Sequence, residues 1–68
     1  MKRVSGKQMC KALERKGWVL DHVRGSHHVY RGPDGRTKVS VPVHGNQTLK
    51  PGTQHGIMKD AGLTDADL

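Results

Sequence analysis

The sequence predicts an α+β domain of order α-β-β-β-α, a three-stranded antiparallel sheet with two helices on one face. Three observations predict it. A capped run of helix formers opens the chain and stops at Gly17. Two glycine-bearing turns, Arg24-Gly25-Ser26 and Gly32-Pro33-Asp34-Gly35, then divide the next stretch into three short runs of strand formers. A second helical run begins at Pro51 and ends at Gly62.

The first helix is expected over residues 6–16. Ser5 followed three residues later by Gln8 is a capping box, in which each side chain satisfies the other's free backbone N–H. Met9, Ala12, Leu13 and the aliphatic stem of Lys16 fall at i, i+3, i+4 and i+7, one narrow buried stripe. From Trp18 to Val23 the pattern is that of a strand. His27 to Arg31 forms a second, and Lys38 to Val43 a third with Val39, Val41 and Val43 on one face. Pro42 has no N–H for a ladder bond, so the third strand belongs at an edge. Two hairpins in series give a meander. His44 to Lys50 reads as a polar loop, and Pro51 suits the first turn of a helix that buries Ile57, Met58 and Ala61. Leu63 folds back after Gly62 as the apolar contact of a C-cap, and residues 64–67 start a last turn or fray.

A chain of 68 residues is expected to form a single domain over 1–68, with a thin core. Hydrophobic residues are 32%, with one Trp, one Tyr and no Phe, too little for a deep small-molecule or cofactor pocket, and no cofactor is expected. The 12 Lys+Arg against 6 Asp+Glu give +6, which favours a polyanionic partner because each neutralised phosphate releases counterions. A single cysteine, Cys10, excludes an internal disulfide framework and a zinc site of paired thiols. No apolar run is long enough to span a membrane or act as a signal peptide, so the expected compartment is the cytoplasm.

Five histidines carry most of the possible chemistry. His22 and His55 read as surface residues, whereas His44, beside the polar loop, stands where it can meet a ligand. Gly25-Ser26-His27-His28 is the most informative stretch: a tight turn fixes where the following side chains start, and neighbours on a strand point to opposite faces. Placing Val29 with the core valines puts His27 on that side at the rim and turns His28 and Tyr30 outward; periodicity alone leaves the face open. A metal site would have to be assembled across strands from His22, His27 or His28, and His44, and none is expected. Cys10 reads as packing. Lys7, Lys11 and Arg15 recur at i, i+4 and i+8 as a cationic stripe, flanked by Lys2 and Arg3, and Lys50 adds charge before the second helix.

Gly25-Ser26-His27-His28-Val29-Tyr30-Arg31, Pro33-Asp34-Gly35-Arg36, Val41-Pro42-Val43-His44, Leu49-Lys50-Pro51-Gly52-Thr53 and Ile57-Met58-Lys59-Asp60-Ala61-Gly62-Leu63 together resemble a HicA toxin across nearly the whole chain. The opening helix followed by Gly17-Trp18 also fits. The resemblance implies a fold like a double-stranded-RNA-binding domain and an mRNA interferase, the toxin of a HicA–HicB pair. It implies a catalytic histidine just after the Gly-Ser turn, His27 first and His28 second. Arg24 fits the family's basic or polar residue before the glycine, while Gly56 departs from it within the second helix. The expected RNA contacts are Lys7, Lys11, Arg15, Arg24, Tyr30 and Lys50. Cleavage is expected to be metal-independent, with the histidine as general base toward the RNA's own 2′-hydroxyl. The implied partners are mRNA and a HicB-like antitoxin; operator DNA is expected only through the antitoxin, and a membrane not at all. The alternatives are a non-catalytic RNA-binding module of the same fold and a structural adaptor whose charge serves solubility.

Overall fold

The computed structural model describes residues 1–68. Helix α1 spans Gly6–Arg15, strands β1, β2 and β3 span Val19–Arg24, His27–Arg31 and Lys38–Pro42, and helix α2 spans Pro51–Ala61. The sheet is antiparallel in the order β1-β2-β3, so the meander stands and Pro42 lies on an edge strand. The capping box forms in full: the Ser5 hydroxyl accepts from the Gln8 N–H at 3.2 Å and the Gln8 side chain accepts from the Ser5 N–H at 2.9 Å. At the far end Gly62 adopts a left-handed φ of 68°, the Leu63 N–H donates to the Met58 carbonyl at 2.9 Å, and Leu63 is buried.

Both helices lie on one face of the sheet and close over β3. Met9, Ala12 and Leu13 from α1, Tyr30, Val39 and Val41 from the sheet, and Ile57 and Met58 from α2 form one core with Val4, Cys10, Trp18, Leu49 and Leu63. Met9, Leu13 and Val41 are fully buried, each contributing about 1.5–3 kcal/mol of transfer free energy. A close approach makes this packing possible. A Cβ on Gly6 would collide with the Pro42 carbonyl oxygen and stand 3.1 Å from the Val43 Cα. Glycine therefore lets the start of α1 rest directly on the end of β3.

Several boundaries and faces differ from the sequence expectation. Lys16 lies outside α1, exposed, with its ammonium 3.4 Å from Asp67; its charge seeks a partner where its stem was expected to pack. Trp18 precedes β1 as a core residue, and Val43 follows β3, half-buried against the core. The main correction concerns β2. Tyr30 pairs with Val39 and His28 with Val41, so both turn toward the helices, while His27 and Val29 face the open side. Burying the Tyr30 ring against Val39 removes far more apolar area from water than burying Val29 would, and that difference selects the register face. β1 carries a bulge between Leu20 and His22, and all six of its residues are exposed. Residues 65–67 form a short 3-10 turn capped by Thr64 and Asp67 rather than a frayed end.

Candidate functional site

The Gly25-Ser26 turn joins β1 to β2 with Gly25 at φ 60°, a left-handed conformation that a β-carbon would strain. The Ser26 carbonyl accepts from the Val43 N–H at 2.7 Å, which ties the turn to the chain leaving β3. His27 and His28 thus begin the central strand from a fixed point, and the sheet separates them. His27 is exposed on the open face, its Nδ1 3.1 Å from the Ser40 Oγ, between Arg24 and Pro42 on the flanking strands.

His28 is half-buried on the helix side. It lines a groove of about 240 Å³ with Lys7, Cys10, Lys11 and Glu14 of α1, and with Tyr30 and Val43. Lys7 and Lys11 form no ion pair, so the groove that His28 lines has two unpaired lysines on its α1 side. The Tyr30 hydroxyl donates to the Glu14 carboxylate at 2.6 Å. Burial, followed by that bond to Glu14, raises the Tyr30 pKa far above that of a free phenol, and Tyr30 stays a protonated donor. Burial also raises the Cys10 pKa, which keeps a neutral thiol and agrees with a packing role. No three His, Cys, Asp or Glu side chains gather where they could hold a metal ion.

The expected RNA contacts are dispersed. Lys7 and Lys11 stand in the His28 groove. Arg15 departs from their stripe: its guanidinium donates to the Asp67 carbonyl at 3.1 Å, because the folded C-terminal turn offers it an acceptor. Tyr30 is 2% exposed and presents no ring to a base, the reverse of the outward position expected for it. Arg24 is exposed at the end of β1, on the same open face as His27. Lys50 stands at the N-cap position of α2, its side chain making no cap bond, and lines another depression with His44. His22 sits 2.7 Å from Asp21, which also binds Arg31 at 2.8 Å and lies 3.5 Å from Lys38; His55 is exposed on α2.

Sequence reasoning did not single out Glu14 or Gln54, and it read Val43 as a strand-face valine rather than as part of a site. Glu14 and Val43 enter the groove only once the inward face of β2 is known. The pairing of Arg31 with Lys38 sets that face, since it puts Tyr30 opposite Val39. Gln54 is 0% exposed. Its Oε1 accepts from the Val4 N–H at 3.2 Å and its Nε2 donates to the Lys2 carbonyl.

A small α+β domain with a capped helix beside a histidine-bearing hairpin is the class this geometry defines, and it is consistent with the double-stranded-RNA-binding-like fold. The family model for the HicA toxin of bacterial toxin–antitoxin systems matches residues 6–63, and the chain belongs to that family. No curated protein matches it. Membership makes the chain a toxin of the toxin–antitoxin class, with an antitoxin as its partner in kind. No helix is long and apolar enough to cross a membrane.

Proposed function

We propose that this toxin is a metal-independent mRNA endoribonuclease in which His28 is the general base. One observation carries the reading: the sheet turns His28, and not His27, toward the two unpaired lysines of α1. A neutral imidazole takes the proton of a ribose 2′-hydroxyl, the 2′ oxygen attacks the adjacent phosphorus, and the bond to the 5′ oxygen breaks with that oxygen taking a proton from water. Lys7 and Lys11 offset the charge that builds on the phosphorane-like transition state. The groove holds no second histidine to serve as general acid. A single base contributes about 10²–10⁴-fold, so the enzyme is slow, which a toxin acting on many messages tolerates. Translation falls as its templates are cut.

The same groove suits inhibition. A HicB-like antitoxin with a complementary acidic surface covers His28 and its lysines in the cytoplasm, and any operator DNA is reached through the antitoxin. Product ends test the chemistry. RNA cut by the purified chain is expected to carry a 2′,3′-cyclic phosphate or 3′-phosphate and a free 5′-hydroxyl. Products with a 5′-phosphate would overturn attack by the 2′-hydroxyl.

A further inference from the structure

The His28 groove is not isolated. Lys7 and Lys11 also form the wall of a second depression, of about 350 Å³, with Ser5, Gln8, Asn46 and Thr48. Thr48 in turn belongs to a third, of about 230 Å³, lined by Pro42, His44, Gln47, Leu49, Lys50 and Thr53. Through these shared residues the three depressions adjoin one another along a track from the hairpin, across α1, to the loop before α2. The second part is lined by polar side chains alone and the third adds Pro42 and Leu49 to its polar ones, and Lys7, Lys11 and Lys50 have no anionic partner. Lys7 and Lys11 lie about 6 Å apart along the helix, a step suited to neighbouring phosphates of an extended strand.

The loop at the far end is held in place. A bridge pairs Ser5 with Thr48, the Leu49 N–H donates to the Val4 carbonyl at 2.9 Å, and Leu49 is buried. The Gln47 N–H closes a turn onto the His44 carbonyl at 3.0 Å. This bracing presents an imidazole, two carboxamides and an ammonium to solvent: His44, Asn46, Gln47 and Lys50 are all exposed. Trp18 and Tyr30, the only aromatic rings besides the histidines, are in the core, so base stacking on this surface falls to an imidazole.

We infer that the His44–Gln47–Lys50–Thr53 depression is a subsite for a nucleotide of a single-stranded RNA several positions away from the scissile bond. It rests on the proposed RNA substrate and adds where the strand runs. A base stacks on His44, Gln47 reads its edge, and Lys50 with the Thr53 hydroxyl receives a phosphate. A single strand fits because in-line attack by a 2′-hydroxyl needs a sugar–phosphate geometry that a stacked duplex denies.

Binding of labelled oligouridylates, a tetranucleotide and an octanucleotide, to the His28→Ala chain tests this without cleavage. Adding His44→Ala and Lys50→Gln is expected to weaken the octanucleotide roughly 5- to 150-fold, the range for one lost base stack, while changing the tetranucleotide less than about twofold. Lys50→Gln alone is expected to lower the slope of log affinity against log salt by about 0.7. Lys59→Gln, which removes the same charge on α2 outside the track, is expected to change neither. Equal octanucleotide affinity in the double variant and its parent overturns the subsite, and so does an equal effect of Lys59→Gln, which would mark diffuse attraction only. Failure of the nuclease reading appears separately, as uncut RNA with the unaltered chain, and leaves this binding comparison intact.

Discussion

Gln54 is a buried clamp, and removing its amide tests how this thin core is held together. The side chain is fully buried and bridges α2 to the N-terminal segment through the Val4 N–H and the Lys2 carbonyl. Gln54→Leu keeps most of the volume but leaves both backbone groups without their partner. An orphaned buried group costs about 1–3 kcal/mol; Val4 is 3% exposed and takes the full cost, whereas Lys2 is exposed and its carbonyl can recruit water. The expected loss is about 1–3 kcal/mol, against a total of about 3–10 kcal/mol for a domain of this length. Urea unfolding followed by Trp18 fluorescence measures it, since the single Trp is buried. A loss below about 0.5 kcal/mol, with the slope unchanged, would refute the clamp. The consequence reaches the site, because the Val4 carbonyl accepts from Leu49 and so braces the loop that carries His44 and Lys50.

Two further substitutions probe separate features. Gly6→Ala forces a methyl group onto the Pro42 carbonyl and is expected to destabilise by about 1–3 kcal/mol or more by the same urea assay; a neutral result would mean that α1 can withdraw from β3 at no cost. Asp21 is held far below the usual carboxylate range, first by Arg31, then by His22 and Lys38. A depressed folded-state pKa gives stability that is present above the unfolded value of about 3.9 and lost as pH falls toward the folded one. The thermal midpoint of the unaltered chain is therefore expected to exceed that of Asp21→Asn at pH 7, and the gap to close in acid; a gap independent of pH would contradict the ion-pair network.

Local signals were legible and long-range ones were not. Ser5 and Gln8, the two glycine turns, Pro51, and Gly62 with Leu63 act within a few residues, so their spacing states their geometry. Tyr30 was misplaced because a phenol is both apolar and polar, and alternation gives two faces without saying which is buried; the burial of its ring beside Val39 decided it. Arg15 continued the Lys7–Lys11 stripe by spacing, yet its partner Asp67 lies 52 residues away. Gln54 likewise meets Val4 across 50 residues, a contact that no local spacing marks. The bulge at Asp21 has no sequence mark, since it is set by the pairing of β1 with β2. The candidate site was legible as a pair of histidines after a turn, while the choice between them depended on the sheet face.

The central claim concerns that choice, and cleavage of a mixed RNA in EDTA tests it most directly, with the unaltered chain beside His27→Ala and His28→Ala. The account predicts cleavage that survives EDTA, falls about 10²–10⁴-fold in His28→Ala, and persists in His27→Ala. Loss of cleavage in His27→Ala with His28→Ala unaffected would move the chemistry to the open face. RNA left uncut by a folded parent that still binds it would leave a binding module in place of an enzyme.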